Sequence, residues 1–277
     1  MRELSPEFSV SALCRVLDVP RSSASYQKKQ RSVSDVSSLK QSVQELRVEY
    51  REYGVKRMYK QLGLKGIAAT RSEVHQAFSE LGILKRPRKR TIRTTDSNHN
   101  YKRWSNQMRD LVVTHPDEVW VADVTGIYLN ARWVYLALLM DVYTRCIVGW
   151  SVSNYNDTTL TLVALRRGFS QGRSPEMHHS DQGSTYAAKD YVDVLEARGI
   201  QVSMAAVGEP RENGYAERLN RTVKEEEARK ATYFTVGDVQ DGISEYVEYY
   251  NKKRLHTSLK YKTPFEVFQQ FWEKEKK

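Results

Sequence analysis

The chain has 277 residues and a mass of 32.1 kDa; with 40% hydrophobic and 28% charged residues and only 14 Gly and 7 Pro, it is globular in composition and long enough for two domains. Its longest apolar run, Trp133 to Met140, is far short of the ~20 residues that span a bilayer, and Cys14 and Cys146 are too far apart to supply paired thiols, which excludes a Cys-based zinc module and predicts a protein of a reducing, cytoplasmic compartment without a leader peptide or membrane partner. The net charge of +10 is uneven: residues 1–110 hold 23 Lys and Arg against 11 Asp and Glu, and the remainder 21 against 23, so a basic, polyanion-binding part precedes a near-neutral part with another task.

Residues 1–36 carry a short helical pattern, with Val10, Leu13, Cys14 and Leu17 on one face, closed by Val19-Pro20. The polar segment Arg21 to Gln30 is compatible with a second short helix. Residues 37–84 then show three amphipathic helices, Leu39 to Tyr50, Val55 to Leu62, and about Thr70 to Leu81, separated by Gly54 and by Gly63 to Ala69. Three short helices of this kind suit either a small bundle or a helix-turn-helix whose third helix enters a major groove, with Lys56, Arg57 and Arg71 as candidate DNA contacts. Residues 85–112 form a basic linker. Between Gly82 and Arg103 eight basic residues face one acidic residue, Asp96, and the run Lys85, Arg86, Arg88, Lys89 and Arg90 suits a strap across a phosphate backbone.

From about residue 113 the texture becomes strand-like. Val119 to Leu129, Trp133 to Val142 and Cys146 to Val152 read as three antiparallel strands with hairpin-length connections. A helix from Asp157 to Phe169, a strand Glu176 to Ser180, a helix Ala187 to Arg198, a strand Gln201 to Ala205 and a helix from Glu212 to about Lys230 follow. This order predicts a mixed sheet with helices on its faces.

Two aspartates sit at telling places in that pattern. Asp123 interrupts a run of Val, Trp, Ile and Tyr, where a lone carboxylate is costly to bury and calls for a partner or a cation. Asp181 ends a strand before Gln182-Gly183, where a plain turn residue is the alternative reading. On the helix beginning at Glu212, steps of about 100° place Tyr215, Leu219 and Val223 on an apolar stripe and Asn213, Glu217, Asn220 and Lys224 on an opposed polar stripe. A solvated helix face would give the same polar stripe. His178 and His179 alternate along their strand and so face opposite ways, which argues against a shared metal.

Asp123, Asp181 and Glu217, together with Pro210, Asn213-Gly214, Ala216-Glu217-Arg218 and Lys224, resemble the DDE transposase and integrase superfamily. The stretches Val121 to Thr125, Ile147 to Trp150, His179 to Ser184, and Tyr250-Asn251 through Arg254, His256, Leu259 and Pro264 narrow the resemblance to the second-frame protein, OrfB, of the bacterial insertion sequence 3 family. Tyr53 to Arg57 extends it into the N-terminal part, where that family has a helix-turn-helix region. The resemblance implies an α/β, ribonuclease H-like mixed-sheet core over residues 113–277, including a C-terminal helical part. A small all-α helix-turn-helix region would precede it. It also implies that Asp123, Asp181 and Glu217 are catalytic and hold two Mg²⁺, with Mn²⁺ as a substitute and no zinc. DNA contacts would come from Lys224, Arg221 and Asn213 as well as the basic linker.

The activity implied is cleavage of insertion-element ends and joining of the freed 3′-hydroxyl to another DNA strand. Double-stranded DNA, further copies of the chain and a first-frame protein, or fusion with it, are the implied partners, within a bacterial nucleoid. Two other readings share features of the sequence: a DNA-binding regulator with an inactive catalytic domain, and a ribonuclease H-type nuclease. The complete acidic triad argues against the first, and the basic N-terminal region against the second.

Overall fold

The structure, a computed structural model, describes residues 9–16, 20, 33–84, 101–129, 132–228 and 232–275. They fall into two compact units, one comprising residues 1–51 and 61–84 and the other residues 52–60 and 85–277. The expected helix within Arg21 to Gln30 and the basic run Lys85 to Arg90 lie outside the described residues.

The smaller unit is helical, with α1 (Val10–Val16), α2 (Val33–Glu49), the latter part of α3 (Val55–Leu64) and α4 (Arg71–Glu80). Helix α4 starts where its residues dictate. Thr70 accepts a bond from the Glu73 amide, and the Glu73 carboxylate accepts one from the Thr70 amide, a reciprocal cap that satisfies two otherwise orphaned donors. Val43, Leu62, Val74, Ala77 and Phe78 form the buried face, and Lys40 pairs with Glu80 at 2.6 Å.

The larger unit is built on a five-stranded sheet in the order β3-β2-β1-β4-β5, with β1 Val119–Leu129, β2 Arg132–Asp141, β3 Ile147–Ser153, β4 Met177–Ser180 and β5 Gln201–Met204. The first three strands pair antiparallel, and β4 and β5 run parallel to β1. β1 and β3 arise from runs rich in β-branched and aromatic residues, whereas β4 (Met-His-His-Ser) and β5 (Gln-Val-Ser-Met) are short and do not. Alternation then divides the sheet. Val119 and Val121 face one core, shared with α8 (Gly214–Val223) and α9 (Val236–Lys252). Trp120 and Ala122 face the other, shared with α5 (Thr158–Phe169), α6 (Ser184–Ala187) and α7 (Lys189–Glu196). A final helix, α10 (Pro264–Glu275), ends the described chain.

Helix α5 begins at its Asp157 cap, whose side chain accepts the Leu160 amide at 2.9 Å, and packs so closely on β3 that a Cβ at Gly149 would collide with the Ala164 carbonyl. Helix α2, expected over Leu39 to Tyr50, starts six residues earlier at Val33, and two later helices also differ from the sequence pattern. The helix expected over Ala187 to Arg198 is α7, starting two residues later at Lys189, and the separate short α6 before it, divided from it by Ala188 with a non-helical ψ of 139°, was not expected. The helix expected from Glu212 to Lys230 is a 3₁₀ turn, Pro210–Asn213, then α8, then a π-helical turn, Lys224–Ala228.

Candidate active site

Strand register brings the two aspartates level. Val119 pairs with Met177 and Val121 with His179 in a parallel ladder; continued by two residues, that register brings Asp181, just past the end of β4, level with Asp123, and the Asp181 charge acts on the Asp123 carboxyl. Asp123 has the parity of Val121 and therefore points to the α8 side of the sheet. Asp181, past the end of β4, accepts the Gly183 amide at 3.0 Å. A Cβ on Gly183 would stand 2.8 Å from that same carboxylate oxygen, so a larger residue there would have to push the Asp181 side chain aside. The turn residue and the site residue are thus the same aspartate.

Helix α8 supplies Glu217 and two amides. Asn213 donates through Nδ2 to the Ala122 carbonyl at 3.0 Å, and Asn220 donates through Nδ2 to Asp123 Oδ2 at 2.8 Å. These bonds rotate the helix relative to the expected stripes. Asn213 and Asn220 are 4% and 6% exposed, whereas Tyr215 is 42% exposed and lies beneath the Arg145 guanidinium at 4.2 Å. The polar stripe is not opposite the core but on its shoulder, because a buried amide that bonds a strand backbone or a carboxylate is no longer a solvent-seeking group. Glu217 remains exposed beside it.

Burial is the main reason the Asp123 carboxyl is held well above the usual carboxylate range, with the neighbouring charge of Asp181 and then that of Glu217 acting the same way. The Asn220 hydrogen bond works against this shift and does not cancel it. No cationic side chain pairs with Asp123 among the described residues. The carbonyl oxygens of both Asn213 and Asn220 are buried without a hydrogen-bond partner. A half-buried cluster of negative charge with hard oxygen donors fits a divalent cation of the Mg²⁺ type. Among the described residues no three His, Cys, Asp or Glu side chains stand close enough together to hold a single ion.

The other expected site residues divide. Lys224 is half-buried, opens the π-helical turn and stands about 10 Å along the helix from Glu217 at 1.5 Å per residue. Arg221 is exposed and bonded to Glu225 at 3.1 Å. Lys56 and Arg71 are exposed. Asn213, expected at DNA, is instead enclosed and committed to β1, and Arg57 is committed to Glu226 at 3.2 Å. His178 bonds the Tyr191 hydroxyl, while His179 bonds the Ser203 hydroxyl and the Glu212 carbonyl, so the two rings do face opposite ways and each already has a partner.

The Arg57 contact belongs to a feature that sequence patterning missed. Glu226 is 7% exposed and is gripped by Arg254 at 2.7 and 2.8 Å, by Arg57, and by the Tyr246 hydroxyl at 3.0 Å. Those bonds, led by Arg254, outweigh its burial and hold its pKa down at about 2. The Tyr53 hydroxyl bridges the Lys253 carbonyl and the Leu255 amide. Asn251 both donates to and accepts from the Ile147 backbone at the start of β3. The blocks Tyr53 to Arg57 and Tyr250 to His256 therefore meet in space and brace α9 against the sheet. Their common location could be read only from a fold.

Comparison with known proteins agrees with this architecture. Residues 113–210 match an integrase core domain family, and residues 198–264 match a second integrase core domain family. The chain is 30% identical over 275 residues to the transposase for insertion sequence element IS629 of Shigella sonnei, covering 96% of this chain and 93% of that protein. It is 28% identical over 271 residues to the putative transposase InsK for insertion sequence element IS150 of Escherichia coli K12, with 96% and 95% covered. Among solved structures, a chain of the simian T-cell lymphotropic virus intasome in complex with PP2A regulatory subunit B56 gamma aligns over 82% of this chain and 74% of that one, with a TM-score of 0.51 and 14% identity, a likeness of fold.

Proposed function

Because the chain belongs to the insertion-sequence transposases of the integrase superfamily, with a ribonuclease H-like core and the DDE enzyme class that goes with it, we propose that Asp123, Asp181 and Glu217 are its catalytic carboxylates and that it cuts element ends and joins the 3′-hydroxyl to a second DNA strand. The observation that carries the assignment is Asp123, a half-buried carboxylate level with Asp181, with no cationic partner among the described residues. Domains of this family use divalent metals; here Asp123 with Asp181, and Asp123 with Glu217, would hold Mg²⁺ or Mn²⁺. Bound there, the ions would lower the pKa of an attacking water or hydroxyl and stabilise the departing oxygen.

What the chain's own residues contribute is position. Asn220 fixes the Asp123 carboxylate, Asn213 ties α8 to β1, and Gly183 gives the Asp181 loop its tight turn. Lys224, on the Glu217 side of the helix, holds DNA close to the reacting phosphate. Residues 37–84 act as a helix-turn-helix-like DNA-binding domain, with Lys56 and Arg71 available to phosphates, and the basic linker of residues 85–112 contributes Lys85, Arg86, Arg88, Lys89 and Arg90. The chain acts on the bacterial chromosome as a homo-oligomer, alone or with the first-frame protein. No helix of the described residues is long and apolar enough to cross a membrane.

The test is a labelled duplex carrying the element end, incubated with Mg²⁺ and an unlabelled target duplex, with and without the first-frame protein. Labelled strand joined to the target supports the proposal. Hydrolysis without joining points to the nuclease reading, and binding without cleavage to the regulator.

A further inference from the structure

The face of α8 turned away from Asp123 lines a cleft of about 890 Å³. Arg218 lies about 160° round the helix from Asn220, the residue bonded to Asp123, given 100° per residue. The cleft therefore opens behind the helix that carries Glu217. Cations and carboxylates both line it, and they differ in how they are satisfied. Glu212 takes Arg109 at 2.8 Å and the Ala206 amide at 2.7 Å, Glu225 takes Arg221 at 3.1 Å, and Glu226 takes Arg254 and Arg57. Each carboxylate is thus already neutralised. Arg145, Arg211 and Arg218 form no ion pair among the described residues.

Arg145 is the most telling of the three. Its backbone is in the left-handed region at φ 64°, uncommon for a non-glycine residue, and its guanidinium is held over the exposed Tyr215 ring. Its Nη1 is buried with no hydrogen-bond partner. A buried cationic donor left unsatisfied is costly, and an incoming oxyanion would relieve that cost. Three unpaired guanidiniums, from the β2–β3 turn, the 3₁₀ turn and α8, are spread across one concave surface. Three separate guanidiniums suit a chain of phosphates better than one small anion, because guanidinium forks bind phosphate oxygens bidentately and each can take a separate group.

We propose that this cleft is a second DNA site, in which Arg145, Arg211 and Arg218 take phosphodiester oxygens of a stretch of DNA that runs behind α8, away from the reacting phosphate. The proposal rests on the reading of the chain as a DNA-acting transposase. It adds to that reading a surface that the carboxylate site does not need for chemistry.

The experiment compares the full-length wild type with R211Q/R218Q, both positions being exposed, in binding a labelled duplex carrying the element end across a salt series. Loss of two phosphate contacts should lower the slope of log affinity against log salt by about 1.8, so that between 50 and 200 mM salt the wild type loses about 12-fold more affinity than the variant. An unaltered melting temperature shows that the variant is folded. R211K/R218K must keep the wild-type slope, since counterion release counts charges; its loss in the lysine variant overturns an electrostatic role.

A wild-type slope in R211Q/R218Q overturns the second site and leaves the transposase reading standing. A wild type that binds no DNA at any salt overturns both. Inorganic phosphate supplies the remaining arm: if it stabilises the wild type but not R211Q/R218Q while the DNA slopes are equal, the cleft is a free-phosphate site and the DNA assignment is overturned.

Discussion

Glu226 is buried between two guanidiniums, whereas Asp123 is drawn away from water beside two further carboxylates and, among the described residues, has no cationic side chain of its own. One carboxyl is consequently held down at about pKa 2 and the other well above its ordinary range. The chain places arginine where a permanent charge must lock helices to a sheet. At Asp123 the described residues supply no such cation, and there the proposed function places a divalent metal ion. On that proposal the two carboxylates differ in the identity of the compensating ion.

The largest expected effect is on the uncompensated side. Asp123→Asn should reduce Mg²⁺-dependent cleavage by about 10³-fold or more, since several kcal/mol of transition-state stabilisation is at stake. It should also raise the metal-free melting temperature, because it removes a charge repelled by Asp181 and Glu217. Cleavage near the wild-type rate would remove Asp123 from the triad. Asp181→Ala and Glu217→Ala should lose cleavage likewise while keeping DNA affinity, as gel shift would show.

Glu226→Gln should do the opposite, costing about 3–5 kcal/mol in urea unfolding by leaving the Arg254 guanidinium buried and unpaired. Unchanged stability would erase the contrast between the two carboxylates.

Acid titration sharpens the same contrast. The Glu226 carboxyl is depressed from 4.5 to about 2, so its contribution is complete above pH 4.5 and is lost as the pH falls toward 2. Asp123, raised in the folded state, acts with the other sign. Without metal it makes the fold less stable as the pH climbs out of the ordinary carboxylate range toward its elevated pKa. Urea midpoints against pH should fall more steeply in acid in the wild type than in Glu226→Gln, and decline more toward higher pH in the wild type than in Asp123→Asn, Glu118 and Asp141 supplying part of each limb in all three proteins.

Lys224→Ala should give the smallest effect, a several-fold loss of cleavage and end binding that low salt partly restores, with Lys224→Arg milder. Equal activity across the salt range would make Lys224 an ordinary helical lysine.

Much of the larger unit was legible in the chain because its first three strands are runs rich in Val, Ile, Leu and aromatics. Asp123 was legible for the same reason, as a charge in the middle of such a run. The short helix α6 was not, because four residues are too few to show a helical period. Helix α8 was misoriented by treating Asn213 and Asn220 as solvent-seeking; a hydropathy pattern cannot register that an amide will bond a strand carbonyl or an aspartate. Arg57 was read as a DNA contact because local charge says nothing about Glu226, 169 residues away, and the bracing of Tyr53 against Lys253 spans 200 residues. Such pairings exist only once the chain is folded.

The central claim is that the Asp123 cluster is completed by a divalent cation, and metal-linked melting of the full-length protein tests it directly. Titrating Mg²⁺ should raise the wild-type melting temperature saturably, as binding to the folded state alone requires. The response should be lost in Asp123→Asn and kept in Glu226→Gln, whose starting temperature is lower. A wild type indifferent to Mg²⁺, or an Asp123→Asn variant stabilised as much as the wild type, would contradict the account.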